Sequence, residues 1–175
     1  MSKKQAMCLV AVMALAAAKA GAGMHDPQPQ KGSKEFERMK TLAGVWEGTS
    51  TMMNGTGMPV RVEYRVTGAG SALVETLFPG TPHDMVTVYH DRNGALCMTH
   101  YCALGNRPHM ALKGSTADTI EMELAPGGEV DANRDTHMHA LKVTFDGADR
   151  IVHEWTLFDA GKKKDVSMFT FNRVK

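Results

Sequence analysis

The densest run of residues able to do chemistry is Glu75, His83, His90, Thr99-His100-Tyr101-Cys102, Asn106, Arg107 and His109. Imidazole, carboxylate, phenol and amide groups can hold a small molecule by hydrogen bonds, and a His–Glu pair can exchange protons with it. Seven of the eight His fall after residue 80. His137-x-His139 puts two imidazoles on one face of a strand, ~7 Å apart. A metal site would complete that pair with a third ligand from a neighbouring strand. A turn at Gly147-Ala148 sets His153 and Glu154 opposite Lys142 and Leu141, a poor match in depth, so a solvated His pair is favoured and no metal site is assigned. His153-Glu154-Trp155 places His153 and Trp155 on one face and Glu154 on the other. Glu75 sits inside Leu73-Val74-Glu75-Thr76-Leu77. A carboxylate buried without a partner costs several kcal/mol, so Glu75 either faces outward, which is slightly favoured, or pairs with Arg or His. Cys102 shares a face with His100, yet no nucleophile elbow, P-loop, dinucleotide fingerprint or Cys-x-x-Cys occurs.

The elements that must position these residues are short strands. Alternation predicts strands over Val45–Met53, Pro59–Thr67, Ala72–Phe78, Met85–Asp91, Ala95–Ala103, Pro108–Lys113, Thr119–Leu124, His137–Phe145, Arg150–Phe158 and Asp165–Arg173. Turn chemistry separates them, including Asn54-Gly55, Asn93-Gly94, Pro126-Gly127-Gly128 and Asp146-Gly147. A two-residue turn at Asn93-Gly94 sets His90 opposite Cys97 and His100 opposite Thr87. His90 and His100 are then ~10 Å apart along the ladder, too far to share a metal. The Ala95–Ala103 and Met85–Asp91 strands are apolar on both faces, which suits a wall covered by a helix or by a second copy of the chain in a homodimer. Before the strands, Ser33 can cap a helix that runs to about Ala43, with Phe36, Met39 and Leu42 at helical spacing and Gly44 as its stop. Ten short strands with short connections form an antiparallel meander, and closure into a barrel removes its edges.

The chain opens with a basic start at Lys3-Lys4, an apolar run over Ala6 to Ala18 and a small-x-small site at Ala18-Lys19-Ala20. This order predicts a secretory signal over residues 1–20, and the run is too short to span a membrane. Residues 21–32 read as a flexible spacer, and 33–175 as the domain. Loss of Lys3, Lys4 and Lys19 leaves 17 basic and 19 acidic residues. That balance argues against a nucleic-acid partner. Cys8 leaves with the signal. Cys97 and Cys102, ~16 Å apart on a straight strand, are too distant for a disulfide and are expected as free thiols.

Gly44-Val45-Trp46 opening the first strand after a helix, with Arg173 on the last strand, resembles the lipocalin-like, or calycin, β-barrels. The chain is also similar to bacterial lipocalin-like domains of unknown function and, more distantly, to nitrobindin-type haem barrels. The resemblance implies an all-β, antiparallel up-and-down barrel of about ten strands, capped at one end by the short helix. It also implies that Gly44, Trp46 and Arg173 close the base, with the Arg stacked on the indole. A haem-ligand motif near the C-terminus is not found, as no His follows His153. The expectation is a secreted or periplasmic barrel that binds a small, mostly apolar ligand in its lumen, oriented by Glu75, His90, His100, Tyr101, Asn106 and His153. The alternatives are an enzyme using His and Glu as acid and base, and a haem or metal carrier. No cofactor is assigned.

Overall fold

A computed structural model describes Gln28, residues 31–52 and residues 57–175. The signal, most of the spacer, Met53 at the end of the first expected strand and the Asn54-Gly55 turn lie outside the described residues.

Helix α1 spans Lys34–Lys40. Ser33 caps it by accepting a hydrogen bond from the Phe36 N–H at 3.1 Å. Phe36, Met39 and the following Leu42 turn one apolar stripe into the barrel and are almost fully buried. Seven residues cannot hold a helix alone. This one is tied down by Ser33, whose hydroxyl donates to Asp91 at 2.8 Å, and by Ser115, which donates to Glu35 at 2.7 Å.

Ten strands follow: β1 Gly44–Ser50, β2 Met58–Thr67, β3 Ala72–Leu77, β4 Met85–Arg92, β5 Ala95–Tyr101, β6 His109–Ser115, β7 Thr119–Leu124, β8 His137–Asp146, β9 Arg150–Asp159 and β10 Lys162–Arg173. Each pairs antiparallel with the next, and β1 pairs with β10 to close the barrel. The expected up-and-down architecture, with the helix at one end, is the one found. Among the described residues no helix is long and apolar enough to cross a membrane.

Closure at the seam depends on Gly48. A Cβ there would stand 1.8 Å from the Thr170 carbonyl oxygen of β10. The two backbones approach too closely for any side chain. The Asn93-Gly94 turn has positive φ at both residues, 54° and 78°, the geometry of a two-residue hairpin. It sets Thr87 opposite His100 and His90 opposite Cys97, as expected.

The β8–β9 hairpin differs from the expectation. Asp146 pairs with Arg150, so the loop has three residues, with Gly147 at φ 73°. His153 consequently stands opposite Val143 and Glu154 opposite Lys142. A slip of one residue exchanges the two faces of a strand.

The inward faces of the strands fill the interior. Val62, Leu73, Tyr89, Leu96, Met98, Met110, Met122, Leu141, Val143, Trp155, Phe169 and Phe171 belong to one continuous buried core. The helix and the β2–β3, β4–β5, β6–β7 and β8–β9 turns form the base. The β3–β4, β5–β6, β7–β8 and β9–β10 connections form the opposite end, here called the mouth.

Candidate functional site

Glu75 lies on the inner face of β3, between Leu73 and Leu77, and exposes nothing to water. Its expected outward orientation is therefore corrected. The carboxylate is buried without Arg or His contact because hydroxyls from both neighbouring strands reach it. Tyr64 of β2 and Thr87 of β4 stand directly opposite Glu75 in the two ladders. The Tyr89 hydroxyl donates to Oε2 at 2.9 Å, and the Thr87 hydroxyl approaches Oε1 at 3.3 Å. Burial raises the Glu75 pKa to about 7, against hydrogen bonds from Tyr64, Tyr89 and Thr87 that lower it.

The network continues on both sides. Thr87 Oγ1 shares a hydrogen with His100 Nδ1 at 2.9 Å, and the His100 ring packs on Trp155 with centroids 4.6 Å apart. On the other side the Tyr64 hydroxyl meets His153 Nε2 at 3.1 Å. Burial holds His100 neutral, its pKa lowered to about 4, and His153 neutral, lowered to about 3. Burial likewise drives the Tyr64 and Tyr89 pKa values well above their usual value. At neutral pH, Glu75 is the one member of this network whose charge is in balance.

Thr87 has one hydroxyl hydrogen, and this constrains the chemistry. If the hydrogen goes to a Glu75 carboxylate, His100 must carry its proton on Nδ1. If it goes to His100 Nδ1, Glu75 must be protonated to bond Thr87. The tautomer of His100 is therefore coupled, through Thr87, to the protonation state of Glu75 inside a dry barrel.

Of the residues expected from the sequence, the structure brings Glu75, His100 and His153 into this one interior network. It does not place His90 or Tyr101 there. Thr87 and Tyr89 take the inner face of β4, which turns His90 outward, and its ring stands 6.3 Å from that of His109. Tyr101 follows inward-facing His100 on β5 and is 47% exposed. Asn106 occupies the β5–β6 connection at the mouth, where its Nδ2 donates to the Thr136 carbonyl at 2.8 Å. Tyr64, Thr87 and Tyr89 were missed in the sequence. The signal available was their place on the inward face of strands flanking Glu75.

The two rings of the His137-x-His139 pair are in contact, with centroids 5.3 Å apart. A bulge between Met138 and Ala140 brings His137 Nε2 to 3.0 Å from His139 Nδ1, while His137 Nδ1 meets the Asp135 carbonyl at 2.7 Å. His139 stacks on Phe158 at 3.8 Å. His153 is engaged by Tyr64, and Glu154 stands across from Lys142 at 3.7 Å, so neither reaches the pair as a third ligand. Among the described residues no group of three His, Cys, Asp or Glu is placed to hold a metal ion. Cys97 and Cys102 are free thiols, as expected, and burial raises the pKa of both.

At the base, Trp46 and Arg173 are directly paired across the β1–β10 seam. The guanidinium lies 4.1 Å from the indole centroid, while the indole N–H donates to the Leu42 carbonyl at 2.7 Å. Gly44, at φ 128°, leaves room for Arg173, whose Nη1 would stand 3.3 Å from a Cβ there. This triad seals the base.

The fold and this seal define a closed ten-stranded antiparallel barrel, consistent with the calycin-like barrels. Comparison of the chain with known family profiles and with curated proteins finds no match in either.

Proposed function

We propose that this chain is a lipocalin-like barrel, secreted or periplasmic after removal of residues 1–20, that binds a small and mostly apolar molecule through its mouth. The observation that supports the reading is the interior network of Tyr64, Glu75, Thr87, Tyr89, His100 and His153, buried in an apolar barrel with no countercharge. Polar groups held in a core cost stability that apolar residues of similar volume would not, and a ligand to be oriented gives them a use. The base is closed by α1 and the Trp46–Arg173 stack, which leaves the mouth as the way in. The middle layer is filled by side chains, so a ligand seats above it and displaces mouth residues. Titration with N-phenyl-1-naphthylamine tests this. A blue-shifted, saturable fluorescence rise is expected; its absence at all concentrations would contradict the reading.

One observation favours a second reading, acid–base catalysis. Glu75, Thr87 and His100 form a continuous hydrogen-bonded path. On that reading Glu75→Gln and Thr87→Val would each abolish turnover of a bound substrate.

A further inference from the structure

Among the described residues, two buried side-chain polar atoms have no partner: the Trp155 indole Nε1–H and the Asn106 Oδ1. Trp155 is 1% exposed. The two side chains belong to one neighbourhood. Trp155 packs on His100, and the His100 N–H donates to the Pro108 carbonyl at 3.0 Å. The Cys102 N–H donates to the Asn106 carbonyl at 3.1 Å, so the loop carrying Asn106 folds back onto the end of β5. Asn106 Nδ2 bonds the Thr136 carbonyl just before β8, the strand on which Leu141 stands opposite Trp155.

We infer that His100, Asn106 and Trp155 form the polar floor of a site at the mouth that takes a neutral head group with both a hydrogen-bond donor and an acceptor, such as a primary amide, on an apolar tail. This rests on the proposed binding function and names the ligand class for it. The polarity follows from the orphans. The indole N–H can only donate, so it requires an acceptor. The Asn106 amide is oriented by its bond to the Thr136 carbonyl, which leaves Oδ1 requiring a donor. Neutrality follows from the surroundings. Burial keeps His100 uncharged, and the nearby Arg107 guanidinium is engaged outside by Glu129 at 2.5 and 2.6 Å. An anion seated on this floor would be desolvated with no countercharge. The tail has partners in Met52, Met58, Cys102 and Met138, partly buried apolar side chains packed against the core near the mouth. Methionines adapt to an incoming chain at little cost.

The test uses decanamide, N,N-dimethyldecanamide and decanoate at pH 8, each competed against N-phenyl-1-naphthylamine and followed by the Trp155 indole N–H resonance. Decanamide should bind about tenfold more tightly than its dimethyl analogue, because pairing one buried acceptor is worth about that factor. Decanoate should bind most weakly, and the Trp155 resonance should move with saturation. Asn106→Ala should equalise the two amides, and Trp155→Phe should weaken both. Equal binding of the two amides to the native chain, a preference that survives Asn106→Ala, or a Trp155 resonance that stays unmoved (buried water only on the orphans) would each overturn the inference. Failure of the naphthylamine as well as all three probes would overturn the binding function itself. If a variant does not fold, the native comparison and the Trp155 resonance still decide.

Discussion

The Arg173 guanidinium lies 4.1 Å from the Trp46 indole centroid and donates from Nη1 to the Ala43 carbonyl and from Nη2 to the Thr41 carbonyl, at 2.9 and 2.8 Å. One side chain thus ties the last strand, the first strand and the end of the helix together at the base.

Arg173→Ala should lower stability by about 2 kcal/mol, the combined scale of a cation–π contact and hydrogen bonds from a charged group. Arg173→Lys should recover only a part, because an ammonium cannot stack and fork at once. Naphthylamine affinity should hardly change in either. Denaturant unfolding beside probe titration checks this; a variant that keeps its stability and loses the probe would place Trp46 in the site.

Glu75→Gln should show a pH-dependent gain. The carboxyl is protonated up to about pH 7 when folded, against 4.5 for its ordinary value. Between those values the folded state binds more protons, so this group's contribution falls as pH rises from 4.5 to 7 and stays low above. Gln mimics the protonated form and escapes the loss. The variant should gain on the order of 3 kcal/mol relative to the native chain between pH 4 and pH 8. His100 and His153 act in the opposite sense. Their pKa values are lowered to about 4 and about 3, so their contribution is full above pH 6.5 and is lost as pH falls below it. Denaturation curves of both chains across pH 4–8 check the signs; parallel curves would contradict a buried, neutral Glu75.

Gly48→Ala should cost ~3 kcal/mol or more, since the new methyl would overlap the Thr170 carbonyl oxygen and the backbones of β1 and β10 would have to part. Thermal unfolding measures it. A loss under ~0.5 kcal/mol would mean that the seam is looser than described.

How much of this was legible in the sequence depended on local chemistry. The Asn93-Gly94 turn enforces one hairpin geometry, so the β4–β5 register followed from two residues. The Asp146–Arg150 loop could hold two or three residues, and the sequence does not choose; the one-residue error there misplaced His153 and Glu154. Glu75 shows the other limit. Its alternation with Leu73 and Leu77 points inward, while the desolvation of a carboxylate points outward. The conflict is resolved by Tyr64, Thr87 and Tyr89, which are remote in sequence and become neighbours only through the β2–β3 and β3–β4 ladders. The bulge that brings His137 to His139, and the orphaned atoms of Asn106 and Trp155, are tertiary facts with no local signature.

The free thiols give a compact check on the β5 end. In a chain that starts at residue 21, denatured protein should titrate two thiols without reductant. The folded protein should react slowly at neutral pH, because burial raises the pKa of both Cys97 and Cys102. Finding no thiol on denaturation would require a disulfide and a different β5–β6 connection.

The central claim is that the barrel is sealed at the helix end and takes a ligand at the mouth. The two tryptophans report these ends separately, so the most direct measurement is the pair of indole N–H resonances during titration with N-phenyl-1-naphthylamine. The account predicts a saturable shift of Trp155 with Trp46 unmoved, because the Trp46 indole is held by Leu42 beneath Arg173. A shift of Trp46 with Trp155 unmoved, or no shift of either at saturating probe, would contradict it.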